Sequence, residues 1–225
     1  MSATASAAPA ARGRGRPPRL SREQILDAAV SLIRAAPSEN LTIRRVAAAV
    51  GATPMSLYRY FAGHEELLHA VAERVAAPTL NRRPAGAPWH EDLRRWLLVN
   101  VEHAQAYPQL VPYLASTQRA AWLPSFVLLG DILRPLDLDE ADLAAAIALV
   151  GTTIVGLATL TAHAPATRGD LEKLHAVMAQ DFPDDQSRIR PALDRVLGSH
   201  RDLVETVVTQ TIRTIGSLAP HAPNR

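Results

Sequence analysis

A chain of 225 residues suffices for one or two domains with a sizeable buried core. Its 48% apolar composition excludes a wholly disordered protein, and the lack of any cysteine excludes disulfides, thiolate metal sites and cysteine nucleophiles while suiting a reducing cytosol. The net charge of +2 hides a split: residues 1–64 hold nine arginines against Glu23, Asp27 and Glu39, whereas residues 65–225 hold 15 basic and 19 acidic side chains, the pattern of a nucleic-acid module on an acidic body.

In chain order, residues 1–20 mix alanine, proline, glycine and arginine without period and are expected to form a disordered basic arm. They carry charge but no apolar stretch of the kind a signal peptide needs. Ser21 with Gln24 predicts a capping box, and Ile25, Ala29, Leu32 and Ile33 then follow at helical spacing until Pro37. Thr42 opens a short second helix with Ile43, Val46, Ala47 and Val50 inward, and Gly51 stops it. Thr53 caps a third, with Pro54 at its first position and Leu57 and Phe61 inward. A fourth runs from His64 to Ala77 with Leu67, Leu68, Val71 and Val75 as its stripe.

Residues 79–88 read as a linker. Further helices are expected at Trp89–Tyr107, a broken Leu110–Gln118, Leu123–Leu136, Glu140–His163, Leu171–Gln180 and Ser199–Leu218, with a short tail over 219–225. Leu143 to Ala162 is 20 residues without a charge, long enough to span a membrane. Its alanine and threonine content, and the five-residue spacing of Gly151 and Gly156, favour a buried bundle helix, so no membrane is expected. No alternating strand pattern appears. The expected fold is all-α, with a three-helix unit over 21–78 and a larger helical unit over 89–218.

Helix, short turn and helix between residues 42 and 61 form a helix-turn-helix pattern. Its inner faces make a small core, which frees the outer face of residues 53–60 for a major groove wide enough to admit one helix. That face offers Pro54, Met55, Ser56, Arg59 and Tyr60, with Tyr58 at the flank. Hydroxyls and guanidinium suit phosphates and base edges, and Met55 suits a thymine methyl. The turn at Gly63 and His64 adds free backbone N–H groups.

"LTIRRVAAAVGATPMSLYRYFAGHEELLHAV", residues 41–71, resembles the DNA-binding region of the TetR-type transcriptional regulators. "PWHEDLRRWLLVNVEHAQAYPQL" is similar to the start of their C-terminal domain. The resemblance implies a base or phosphate contact for Arg44, phosphate contacts for Thr42, Thr53, Tyr58 and Tyr60, and groove contacts for Pro54, Met55, Ser56 and Arg59. His64 stands where many members carry lysine, so its phosphate contact depends on protonation. The arm's "RGRP" is similar to an AT-hook, which would lay Arg12, Arg14, Arg16 and Arg19 along a narrow minor groove.

The resemblance also implies a repressor that binds a palindromic operator on double-stranded DNA as a cytoplasmic homodimer, paired through Glu140–His163 and Ser199–Leu218. A small-molecule effector between the central helices would release it, with Trp96, Asn100, His103, Trp122 and Phe126 as candidates for the pocket. The tetracycline–magnesium site of the type member does not carry over residue by residue.

No enzyme is expected. "HEELLH" at 64–69 sets its histidines five apart, about 140° around a helix, so they cannot share a metal. "GRGRPP" lacks the third glycine and the strand of a dinucleotide loop, and no P-loop or nucleophile elbow occurs. No metal or cofactor is implied. The competing class is a helical interaction module, because the broad apolar stripe of Ser199–Leu218 could equally take a partner helix.

Overall fold

A computed structural model describes residues 20–37, 39–80, 82, 86–114, 120–162, 168–198 and 200–220. Among them the chain is all-α, without a strand. Ser21 starts it with the expected capping box: its hydroxyl accepts the Gln24 N–H at 3.1 Å, and the Gln24 side chain accepts the Ser21 N–H at 2.9 Å. Helix α1 (Arg22–Ala35) follows, then α2 (Ile43–Ala49), α3 (Pro54–Leu57) and α4 (His64–Leu80). Thr42 and Thr53 cap α2 and α3 by accepting the N–H groups of Arg45 and Ser56. Between them Gly51 takes φ +64°, a left-handed value that side chains with a Cβ disfavour.

One apolar core unites these four helices. Ile25, Ile33, Val46, Leu57, Phe61, Leu67 and Val71 are all buried in it, and Tyr107 and Leu110 from farther along the chain join it. A second core lies in the larger helical part, built from α5 (Trp89–Gln105), α7 (Leu123–Leu133), α8 (Glu140–Ala162) and α11 (His200–Ser217). Leu93, Leu97, Leu133, Val150, Val208 and Ile215 fill it. The buried hydroxyls of Thr153 and Thr211 meet at 3.0 Å, satisfying each other where α8 crosses α11. The remaining α-helices are α6 (Val111–Leu114), α9 (Arg168–Asp181) and α10 (Gln186–Gly198).

The chain departs from the sequence reading at four places. Regular helix in the third segment covers only Pro54–Leu57; residues 58–60 continue as a tight turn in which the Tyr60 and Phe61 N–H groups both reach the Leu57 carbonyl. Helix α4 does not stop at Ala77 but runs through Pro78 to Leu80. A proline so near a C-terminus loses only its own hydrogen bond, to the carbonyl of Arg74, and the turn beyond it is held by other contacts.

Helix α10 was not expected; it contains Pro191, and Ile189, Leu193, Val196 and Leu197 keep helical spacing. Finally, α8 is not buried all round. Its stretch Glu140–Thr161 is long and apolar enough to cross a membrane, yet only 28% of its most apolar part is buried within the chain. Ala146, Val150, Leu157 and Ala158 face the core while Leu160 stands 57% exposed. The arm, residues 115–119, the turn after Ala162 and the last five residues of the tail lie outside the described residues.

Candidate nucleic-acid interface and internal cavity

The outer face of the helix-turn-helix collects the expected side chains, and their bonding divides them. Met55 is 75% exposed and Tyr58 50%, while Pro54, Arg44 and Arg59 are also exposed. Among the described residues neither Arg44 nor Arg59 has an ion-pair partner. Arg45, by contrast, is committed to the fold: it pairs with Glu39 at 2.8 Å and donates to the Asn40 carbonyl at 2.7 Å. Position 44 rather than 45 is therefore the free cation of α2.

The hydroxyls have local duties. Thr42 and Thr53 are helix caps, and the Thr53 and Ser56 hydroxyls lie 2.9 Å apart. Tyr60 packs on the first core and donates its hydroxyl to the Leu20 carbonyl, tying the recognition segment to the residue that follows the arm. His64 donates through Nε2 to the Leu41 carbonyl at 2.6 Å, which braces the start of α4 against the entry to α2. His69 instead packs edge-on against Tyr113 with ring centroids 5.0 Å apart. The two histidines of "HEELLH" thus serve different neighbours, and among the described residues no cluster of metal-ligating side chains forms. Arg12, Arg14, Arg16 and Arg19 lie outside the described residues.

The second set of candidates converges. Trp96, Asn100, His103, Trp122 and Phe126 all line one internal cavity of about 100 Å³ between α4, α5, α7 and α8. The sequence reading missed Thr79 and Leu80 at the end of α4, Ser125 on α7, and Ile147, Gly151 and Ile154 on α8. The last three recur at 147, 151 and 154, a spacing that places them on one helical face but does not reveal that the face fronts a cavity. Beyond Leu114, Phe126, Ile147, Gly151 and Val155, which they share, lies a wider groove of about 710 Å³ along α8.

The cavity wall is mostly apolar and, among the described residues, carries no aspartate, glutamate, lysine or arginine. Its polar groups mostly answer to the backbone. The Trp96 indole N–H donates to the Leu80 carbonyl at 3.3 Å, and His103 Nε2 donates to the Val75 carbonyl at 2.8 Å. Burial holds the His103 imidazole below its usual pKa, the nearby Arg34 charge pushes the same way, and the bond to Val75 opposes both.

Residues 25–71 match the family model described as "Bacterial regulatory proteins, tetR family". The HTH-type transcriptional repressor DrrR1 of Streptomyces coeruleorubidus is 29% identical over 193 residues, covering 84% of this chain and 68% of the relative. Over residues 25–71 the chain thus carries a tetR-family DNA-binding segment, and over most of its length it is similar to a transcriptional repressor. The likeness reaches well beyond the DNA-binding segment. SCO7222, a TetR from Streptomyces coelicolor, superposes with a TM-score of 0.69 at 26% identity, covering 89% of this chain and 100% of that one. Apo ActR from the same organism superposes with a TM-score of 0.76 at 18% identity, covering 90% and 100%, a match of fold. The TetR-type helix-turn-helix and the larger helical body are therefore one continuous architecture, and the relatives regulate transcription rather than catalyse.

The partial burial that lowers the His103 pKa gives the chain a pH dependence of defined sign. A depressed folded pKa means that the unfolded chain takes up the proton first, from about 6.5 downward, so stability is full above that value and lost as pH falls through it. Urea unfolding at pH 7.5 and 5.5 should show a larger loss of midpoint in wild type than in His103→Asn, whose amide can still donate to Val75. Equal losses in both proteins would show that His103 is not the group involved.

Proposed function

We propose that this chain is a TetR-family regulator, a cytoplasmic homodimer that represses transcription from a palindromic operator and is released by a small molecule in the cavity of the larger domain. The observation that carries the reading is the run of α4. One end follows the recognition segment directly at His64, and the other, at Ala76, Thr79 and Leu80, is part of the cavity wall. A molecule that displaces that wall displaces the element on which the recognition segment is seated. ActR, similar in fold, has been solved with (S)-DNPA and with actinorhodin, which supports a ligand in this architecture.

A second copy of the chain accounts for the uncovered apolar side of α8. Two-fold pairing there and along α11 would bury it, as in isologous dimers generally, and would set two recognition segments on successive major-groove faces. On the DNA side we assign Arg44, Met55, Tyr58 and Arg59 to direct contact, because they are exposed. Pro54 opens the helix against the groove wall, and the Thr42, Thr53 and Ser56 hydroxyls suit phosphates while capping. Tyr60 and His64 act mainly as braces that fix the segment's pose, with a phosphate contact open to the second nitrogen of His64.

Arg44→Ala and Tyr58→Phe should weaken operator binding while circular dichroism and sedimentation remain those of the folded dimer. Loss of a base contact by Arg44 costs about 1–3 kcal/mol and relaxes preference at one base pair. Unchanged affinity in both variants would remove these residues from the interface.

The arm has a place in the same scheme. Leu20, held by Tyr60, fixes where residues 1–19 leave the fold, beside the recognition segment. Deleting residues 1–19 should weaken DNA binding and leave the dimer intact. If Arg12, Arg14, Arg16 and Arg19 all meet DNA, the slope of log affinity against log salt flattens by up to about 3.6, with the greater loss on operators with AT-rich flanks. An unchanged slope would reduce the arm to a solvated tail.

The effector half of the proposal is tested by a broad compound screen against the purified dimer, read by operator affinity. A genuine effector binds the free dimer better than the DNA-bound one and should lower operator affinity by about 5- to 150-fold, a coupling of about 1–3 kcal/mol. Binders that all leave operator affinity untouched would leave an interaction module without an effector.

A further inference from the structure

One donor in the cavity wall has no acceptor. Trp122 is 6% exposed, and its indole N–H is the buried side-chain polar atom without a hydrogen-bond partner among the described residues. Its neighbours are all provided for. Ser125 donates to the Trp122 carbonyl at 2.6 Å, Asn100 to the Trp96 carbonyl at 2.8 Å, and Thr79 to the Ala76 carbonyl at 3.1 Å. His103 and Trp96 are bound to Val75 and Leu80 as described above. A buried donor left unpaired carries its full desolvation penalty, so a ligand that brings an acceptor to Trp122 recovers what the empty wall lacks.

The rest of the wall limits what such a ligand can be. Among the described residues no aspartate, glutamate, lysine or arginine lines the cavity, and burial disfavours the charged form of His103, so none of them compensates a ligand charge. Trp96, Trp122 and Phe126 offer aromatic surface, which favours flat rings over branched aliphatic chains. The cavity alone has room for a small group, while the adjoining groove past Phe126 has room for rings.

Resting on the effector reading above, we propose that the ligand of this cavity is an uncharged, flat aromatic molecule with a ketone- or quinone-type oxygen, and that the indole N–H of Trp122 donates to that oxygen. The carbonyl end enters the cavity and the rings extend past Phe126 along α8. Asn100 and Ser125, already bonded, define the shape of the polar end rather than bind it.

The test uses the full-length protein without DNA and three probes of nearly equal shape: 2-acetonaphthone, 2-ethylnaphthalene and 2-naphthoate. Isothermal titration of wild type and Trp122→Phe, with thermal melts to confirm that the variant folds, reads the affinities. Wild type should bind the ketone about tenfold tighter than the hydrocarbon, which is about 1.4 kcal/mol, and tighter than the carboxylate by at least as much. Trp122→Phe should bring ketone and hydrocarbon to near parity.

A preference for the carboxylate, a ketone no better than the hydrocarbon, or a preference that survives in Trp122→Phe would each overturn the inference. So would failure of all three probes to bind. The wild-type comparison stands even if the variant does not fold. Because no step involves the operator, a failure here leaves the effector proposal to the separate compound screen, where a charged or aliphatic effector would keep that reading while rejecting this one.

Discussion

Two hydrogen bonds from α5 hold the last turns of α4 in place: His103 to the Val75 carbonyl and the Trp96 indole to the Leu80 carbonyl. They act where the helix is least able to hold itself, because Pro78 cannot donate to the carbonyl of Arg74. Above them, α4 contributes Leu67, Leu68, Val71 and Val75 to the core of the DNA-binding unit; below them, it contributes Ala76, Thr79 and Leu80 to the cavity. A helix that belongs to both units through packed side chains transmits displacement as a body, since close-packed interiors repack in steps rather than deform smoothly. Tyr107 adds a second tie: its ring lies 5.1 Å from that of His103, and its hydroxyl accepts from Arg34 of α1 at 3.1 Å.

The size of the cavity gives this arrangement its direction. Sites for drug-sized molecules commonly run from about 300 to 1,000 Å³. The cavity here is about 100 Å³, so a ligand larger than a small ring must extend into the groove of about 710 Å³ along α8 or press on the wall. Both walls are packed: α8 lies against α5 and α11, and the end of α4 lies against α5, with Val75 and Ala76 buried, Leu80 in the second core and the two side-chain bonds just named. The wall made by α4 is also the one that leads to the recognition segment. Under the proposed function, an effector therefore needs no dedicated relay, only a displacement of α4. Its effect is bounded by the difference in its affinity for the two arrangements, however tightly it binds either.

The local grammar of the sequence was largely legible. Caps at Ser21, Thr42 and Thr53, the stop at Gly51 and the 3.6-residue stripes located the first four helices, because these signals act within a few residues of one another. The five cavity residues were also named from the sequence, and they do gather. Illegible were matters decided by distant partners. The expected fourth helix ends at Ala77 and no helix is expected over 186–198, yet α4 passes through Pro78 to Leu80, whose carbonyl meets Trp96, and α10 accommodates Pro191. Tyr60 and His64 read as DNA contacts, but both reach backbone carbonyls, of Leu20 and Leu41, that no spacing rule pairs with them. Helix α8 read as buried because composition reports how apolar a helix is, not how much of it one chain can cover.

Charge accounting within the head shows why the arm matters. Residues 1–64 carry nine arginines, of which Arg12, Arg14, Arg16 and Arg19 belong to the arm. Of the five in the folded head, Arg22 sits 4.8 Å over the Phe61 ring, Arg34 serves Tyr107 and Arg45 pairs with Glu39. Only Arg44 and Arg59 remain without such a commitment. The head's acids are equally engaged, since Glu23 and Asp27 both bind Arg74, at 2.9 and 2.8 Å. Two such guanidinium groups per chain would release few counterions from a duplex, and the body, with its excess of acids, would be repelled rather than drawn in. Over the roughly 8 Å across which charges act at physiological salt, the proposed role of the folded head is then register and base contact more than affinity. In sequence, four further arginines, Arg12, Arg14, Arg16 and Arg19, directly precede Leu20. Under the proposed function, attraction to DNA thus falls mainly to the arm and discrimination to the helix, and the bond from Tyr60 to Leu20 joins the two at one point.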